Sequence, residues 1–80
     1  MTVEVHFYAQ LKDFFGDSLR LEFTESPTVA TLFSALAAKN ALAADWLKVS
    51  RAANDDSFLD ADTLLGDRAR CYILPPSSGG

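Results

Sequence analysis

The chain has 80 residues, a formal net charge of −4 and 49% hydrophobic residues, with six Phe, two Tyr and one Trp among them. That length supports one domain at most, and the apolar content is that of a folded chain with a small, economical core rather than a disordered one. The acidic balance excludes DNA or RNA as the main partner, because phosphate binding needs a cationic patch, and it is compatible with a basic protein partner.

Val3, Val5 and Phe7 alternate with Glu4, His6 and Tyr8, the period of a strand over about Thr2–Ala9. Leu11–Phe15 is too short to define a helix, and Gly16-Asp17 marks a turn. Leu19, Leu21 and Phe23 alternate with Arg20 and Glu22 in a second strand, which pairs most simply with the first as an antiparallel hairpin. Ser26-Pro27-Thr28 reads as a helix start, with either hydroxyl able to accept from the first turn. Val29, Leu32, Phe33 and Leu36 then form one apolar stripe of a helix running to about Lys39, with Asn40 as its stop. Ala41–Trp46 is ambiguous, with another helical turn as its one specific reading.

Val49, Arg51 and Ala53 suggest a weak strand ending near Asn54, followed by the turn chemistry of Asn54-Asp55-Asp56-Ser57. Phe58-Leu59 is a candidate short edge strand, and Asp60–Gly66 a loop or single helical turn. Arg68–Leu74 is the last strand, with Ala69, Cys71 and Ile73 on one face and Arg70, Tyr72 and Leu74 on the other. Pro75-Pro76 ends it. The order predicts an α+β fold, one main helix packed on one face of a mixed four- to five-stranded sheet. Its core is expected from Val3, Val5, Phe7, Leu19, Leu21, Phe23, Leu32, Phe33, Leu36, Cys71 and Ile73. Residues 1–74 form the domain and 75–80 an extended tail.

Catalytic constellations are missing from the side chains. His6 is the single histidine, and the four glycines form no phosphate loop. Asp55, Asp56, Asp60 and Asp62 lack the spacing of a calcium loop and read as a solvated acidic stretch. Cys71, the one cysteine, falls on the inward face of its strand, where a thiol is a small inert hydrophobe, and a lone cysteine suits a reducing compartment. The N-terminus has no signal-peptide pattern and no apolar run is long enough for a membrane, so a cytoplasmic location is expected.

The tail, "PPSSGG", is where chemistry is expected. Pro75-Pro76 stiffens the exit from the sheet, and Ser77, Ser78, Gly79 and Gly80 form a slim extension of it. The six residues after Leu74 span at most about 20 Å, and two glycines leave no side chain to clash in a narrow channel. A free carboxylate on Gly80 is a poor electrophile until a partner adenylates it.

The segments "VHFYAQLKDFFG" (Val5–Gly16), "SPTVATLFSAL" (Ser26–Leu36) and "ILPPSSGG" together resemble the MoaD family, the small subunit of molybdopterin synthase. The resemblance implies a ubiquitin-like β-grasp fold and a sulfur carrier that is not itself an enzyme. It implies that Gly80 is adenylated by an E1-like, MoeB-type nucleotide-binding partner using ATP and is then converted to a thiocarboxylate by a sulfur donor system. Gly79 gives access, and the sulfur passes to cyclic pyranopterin monophosphate inside a MoaE-like large subunit, in a hetero-oligomer. No cofactor or metal is expected on the chain itself. His6, Tyr8, Tyr72 and Leu74 are expected side by side on the helix-free face and, with Pro75, Pro76, Ser77 and Ser78, to contact the partner. The chain departs from the family where Leu65-Gly66-Asp67-Arg68-Ala69 stands for the usual Asp-Gly-Asp-Glu-Val, with about two residues more before the prolines. The alternatives are a ThiS-type carrier for thiazole synthesis, a ubiquitin-like protein modifier, and a plain interaction module with an inert tail.

Overall fold

Along Thr2–Phe7 (β1) burial follows the alternation of the sequence, with Val3, Val5 and Phe7 inside. The structure is a computed structural model that describes residues 1–76. β1 pairs antiparallel with Ser18–Glu22 (β2), Val3 opposite Leu21 and Val5 opposite Leu19. On its other side it runs parallel to Ala69–Leu74 (β5), with Val5 opposite Cys71 and His6 opposite Tyr72. Arg51–Ala53 (β3) joins β5, and Phe58–Leu59 (β4) closes the sheet, whose order is β2-β1-β5-β3-β4. The two central strands thus come from opposite ends of the sequence, which places the chain's exit beside its start.

The segment left open between β1 and β2 is a 3-10 turn, Ala9–Leu11, continued by Lys12–Phe15 (α1). It inserts Leu11 fully into the core. The helix Val29–Lys39 (α2) starts at Thr28, whose hydroxyl accepts from the Thr31 N–H at 3.1 Å, satisfying one of the unpaired first-turn donors. It ends at Asn40, whose N–H donates to the Leu36 carbonyl at 3.0 Å. The Asn40 side chain both accepts from the Leu42 N–H and donates to the Phe14 carbonyl. One residue therefore stops α2, starts the turn Ala41–Ala43, and ties both to α1.

That turn leads into Ala44–Val49 (α3), which agrees with the helical reading of one segment and corrects one expectation. The stretch Ala41–Trp46 is helical and buries Ala43, α3 adds Leu47 to the core, and Val49 is the last helical residue, 58% exposed, instead of the start of a strand. The Ser50 hydroxyl, donating to the Trp46 carbonyl at 2.6 Å, terminates the helix in place of a continued ladder. The core differs from expectation in the same direction. Leu19, Leu21, Phe23 and Phe33 are half-buried and pack around it, while Leu11, Val29, Ala43, Leu47, Ala52 and Leu65 complete it. The reason is topological: β2 is an edge strand, and the helices cover the centre of the sheet more fully than its edge.

The turn into β5 accounts for the departure noted in the sequence. Asp67 accepts from the Thr2 N–H at 2.8 Å, and the Arg68 N–H donates to the Thr2 carbonyl at 2.7 Å, so the turn clasps the beginning of β1. Arg68 takes a left-handed backbone (φ 63°) that glycine adopts more readily. Beyond it the alternation is intact, with Cys71 and Ile73 fully buried on the helix side.

Candidate docking face and tail

With α1, α2 and α3 on one side, the other face of the sheet is open. Its surface follows from register. A row runs from Ser18 through His6 and Tyr72 to Ala53 and Phe58, one residue from each strand. The next row toward the C-terminal end of β5 holds Leu74 and its partner Arg51, with Tyr8 just past the end of β1.

These side chains form an aromatic cluster. The His6 and Tyr72 rings have centroids 5.5 Å apart, and Tyr8 lies 6.3 Å from Tyr72. Tyr8 is exposed, and His6, Tyr72, Leu74 and Pro75 are half-buried. The cluster is braced from the β3–β4 side. The Tyr72 hydroxyl donates to Asp55 at 2.6 Å, which reaches it from the β3–β4 turn and holds the phenol above its ordinary pKa. That turn is itself rigid: Asn54 Oδ1 accepts from the N–H groups of Asp56 and Ser57 at 2.9 and 2.8 Å. On the same side the Arg51 guanidinium sits 3.6 Å from the centroid of the Phe58 ring, a cation–π stack. Below the cluster, Glu4 stands 3.4 Å from His6 Nε2 and accepts from Arg70 Nε at 3.1 Å, and the nearness of the imidazole and then the guanidinium holds its carboxyl below the ordinary range.

The expected neighbours His6, Tyr8, Tyr72 and Leu74 are therefore together, at the end of the face from which Pro75 and Pro76 leave. Ser77, Ser78, Gly79 and Gly80, on which the expected chemistry falls, lie outside the described residues. Sequence reasoning did not assign Asp55, Arg51 or Phe58 to this face. Only strand pairing reveals them, since Phe58 comes to Tyr72 through Ala53 of an intervening strand.

Side-chain chemistry is sparse here. Cys71 is fully buried, and burial pushes its thiol up to about 11, far from a thiolate at neutral pH. Among the described residues no group of three or more His, Cys, Asp or Glu is placed to hold a metal ion, and no helix is long and apolar enough to cross a membrane. What the face offers is a rigid, partly apolar surface beside the root of a glycine-ended tail.

A five-stranded mixed sheet with parallel central strands and one main helix across it is the ubiquitin-like β-grasp. Putative molybdopterin converting factor subunit 1 from Pyrococcus furiosus superposes with a TM-score of 0.84, at 17% identity over 96% of this chain and 99% of that one. Small archaeal modifier protein 1 from Haloferax volcanii does so with a TM-score of 0.80, at 18% identity over the whole of both chains. At these identities the likeness is one of fold. A chain from the complex of subunits 1 and 2 of the molybdopterin-converting factor of Helicobacter pylori is 26% identical over the whole of both chains, with a TM-score of 0.70. No curated protein matches the sequence. The model of the ThiS family matches residues 5–80, and the chain belongs to that family, the ubiquitin-like sulfur carriers of ThiS and MoaD type.

Proposed function

We propose that this carrier is the small subunit of a molybdopterin synthase. The observation that carries this reading is the aromatic cluster His6, Tyr8 and Tyr72 on the open face, beside the point where Pro75-Pro76 leads toward Gly79-Gly80. A partner seated there has the tail running into its interior. The Helicobacter pylori relative, whose structure is a complex of the two converting-factor subunits, supports a MoaE-like large subunit as that partner.

The chemistry proposed is group transfer at the main-chain carboxylate. A carboxylate oxygen of Gly80 attacks the α-phosphorus of ATP on an E1-like, MoeB-type enzyme, and pyrophosphate leaves. Hydrosulfide delivered by the donor system then displaces AMP from the acyl-adenylate, leaving a thiocarboxylate; its sulfur attacks cyclic pyranopterin monophosphate in the large subunit, and water cleaves the resulting thioester to return the Gly80 carboxylate. The chain supplies no general acid or base to these steps. Its contribution is to dock, present the terminus and keep its one thiol out of the reaction, and the partners supply the nucleotide and the catalytic pocket. Carriage by Cys71 would require a thiolate, which burial disfavours.

The second reading is a ThiS-type carrier for thiazole synthesis. Pro75-Pro76 ahead of the glycines favours the molybdopterin reading. Mixing the thiocarboxylated chain with a MoaE-type subunit and cyclic pyranopterin monophosphate tests it: conversion to molybdopterin is expected. Conversion only with a thiazole synthase, or attachment of Gly80 to protein lysines, would replace this reading by the corresponding alternative.

A further inference from the structure

The other half of the open face is charged, and its charges are not all matched. The chain has four arginines, Arg20, Arg51, Arg68 and Arg70, and all four lie on the open face or at its rim. The three lysines, Lys12, Lys39 and Lys48, are in the helices. Two of the arginines are occupied, Arg70 by Glu4 and Arg51 by the Phe58 ring. Arg20 and Arg68 are in no ion pair among the described residues, and together with Thr2 and Glu4 they line a single cavity.

The carboxylates near this notch are already engaged. Glu22 accepts from the Thr2 hydroxyl at 2.6 Å, Asp67 accepts from the Thr2 N–H, and Glu4 is shared by Arg70 and His6. Backbone contacts fix the two free guanidinium groups at their roots. Arg20 is paired with Glu4 in the β2–β1 register, and the Arg68 N–H is bound to the Thr2 carbonyl. Four arginines against Glu4, Glu22, Asp55 and Asp67 leave the open face neutral, so the formal charge of −4 resides on the helices and remaining loops. The molecule is 20 Å through its thinnest dimension. At physiological salt charges are screened over about 8 Å, so an acidic group arriving at the open face is little repelled by the far side.

We propose that the Arg20–Arg68 notch is a carboxylate receptor, taking an aspartate or glutamate side chain from an acidic segment of the protein that docks on the aromatic half of the same face. The choice of a docked protein as the source of that carboxylate rests on the docking role proposed above. Arginine forks match the planar, two-oxygen geometry of a carboxylate, which a lysine point charge does not. Glu4 in the lining opposes a doubly charged phosphate more than a single carboxylate. The notch also continues the cluster. Glu4 is the open-face residue next to His6 along β1, and Arg70 the one next to Tyr72 along β5, a separation of about 7 Å. A partner wide enough to cover His6 and Tyr72 therefore reaches it.

The test is a titration of the full chain, isotope-labelled, with end-capped hexaglutamate, inorganic phosphate and a uridine decanucleotide in separate arms, followed by amide and arginine Nε–H spectra. Hexaglutamate is expected to move the signals of Thr2, Arg20 and Arg68 saturably, and added salt to reverse the shifts. Arg20→Gln and Arg68→Gly are each expected to weaken that response about two- to fivefold, the size of one exposed charge-assisted contact. Arg68→Gly also relieves a left-handed backbone, so loss of folding does not obscure the result. Phosphate or the oligonucleotide binding more tightly than hexaglutamate at these residues would overturn the proposal, as would shifts confined to other residues or none at all. No synthase component is present, so the outcome is independent of whether sulfur transfer is observed.

Discussion

His6 and Tyr72 stand directly opposite each other in the parallel β1–β5 register, with ring centroids 5.5 Å apart at the centre of the open face. They come from opposite ends of the chain, so the surface they form exists only in the folded domain. Tyr72 is also two residues from Leu74 and three from Pro75, so whatever holds this pair fixes the direction in which the tail departs. In the docking account Tyr72→Ala lowers affinity for a MoaE-type subunit about 30-fold, the scale of an aromatic interface anchor. Folding stability changes far less, because the ring is only half-buried. Calorimetric titration beside a urea melt separates the two effects.

Leu36 and Leu19 carry equal weight in the apolar pattern, but the fold separates them. Leu36, on the sheet-facing side of α2, is fully buried, whereas Leu19 packs half-buried on the edge strand. Leu36→Ala is expected to cost about 2–5 kcal/mol and Leu19→Ala about half as much or less. Urea denaturation midpoints at constant m-value check the order, and equal losses would contradict this placement of the core.

Ala9 occupies a left-handed backbone (φ 51°) where β1 gives way to the 3-10 turn. An L side chain is disfavoured there by roughly 1–2 kcal/mol, part of which glycine returns as extra freedom of the unfolded chain. Ala9→Gly is therefore expected to raise stability by about 0.5–1 kcal/mol, read as a higher melting temperature, while Ala9→Val lowers it.

Acid sensitivity has an assignable source. The Thr2 N–H holds the Asp67 carboxyl below its ordinary value of 3.8. A carboxyl lowered in the folded state contributes stability in full above the unfolded value, and loses it as pH falls through the folded value. The native chain should thus weaken on acidification below about pH 4, and Asp67→Asn should flatten that part of the profile while weakening the chain at pH 7. Denaturation series at pH 7 and pH 3 give both numbers. Glu4, lowered first by His6 and then by Arg70, adds to the same slope in both proteins.

Most of the sheet was legible in the sequence because its central strands are buried on one face only, which prints a clean alternation on Val3–Phe7 and Ala69–Ile73. α2 was legible from its stripe and from the Thr28 and Asn40 signals at its ends. Val49 was not, since its spacing to Arg51 and Ala53 fits a strand equally well and the Ser50 hydroxyl bond that ends α3 leaves no periodic mark. Leu65 and Leu11 reach the core from irregular segments, where periodicity carries no information. The docking face was half legible. Residues two apart on β1 and β5 announce themselves, whereas Asp55, Arg51 and Phe58 arrive through strand pairings that no local pattern encodes.

Cys71 provides an internal control for the chemistry. Fully buried, with a thiol pushed up to about 11, it is expected to resist iodoacetamide in the folded chain at pH 8 and to react on unfolding in urea. Cys71→Ala removes the only sulfur nucleophile that could compete with the terminus.

The central claim, that sulfur is carried on the Gly80 carboxylate, is tested most directly by intact mass spectrometry of this Cys71→Ala chain after incubation with its activating enzyme, ATP and a sulfur donor. The account predicts a mass increase equal to replacement of one oxygen by sulfur, mapped to the C-terminal peptide and absent when Gly80 is deleted. An unchanged mass under conditions where the same enzyme charges another carrier, or a sulfur adduct that survives deletion of Gly80, would contradict it.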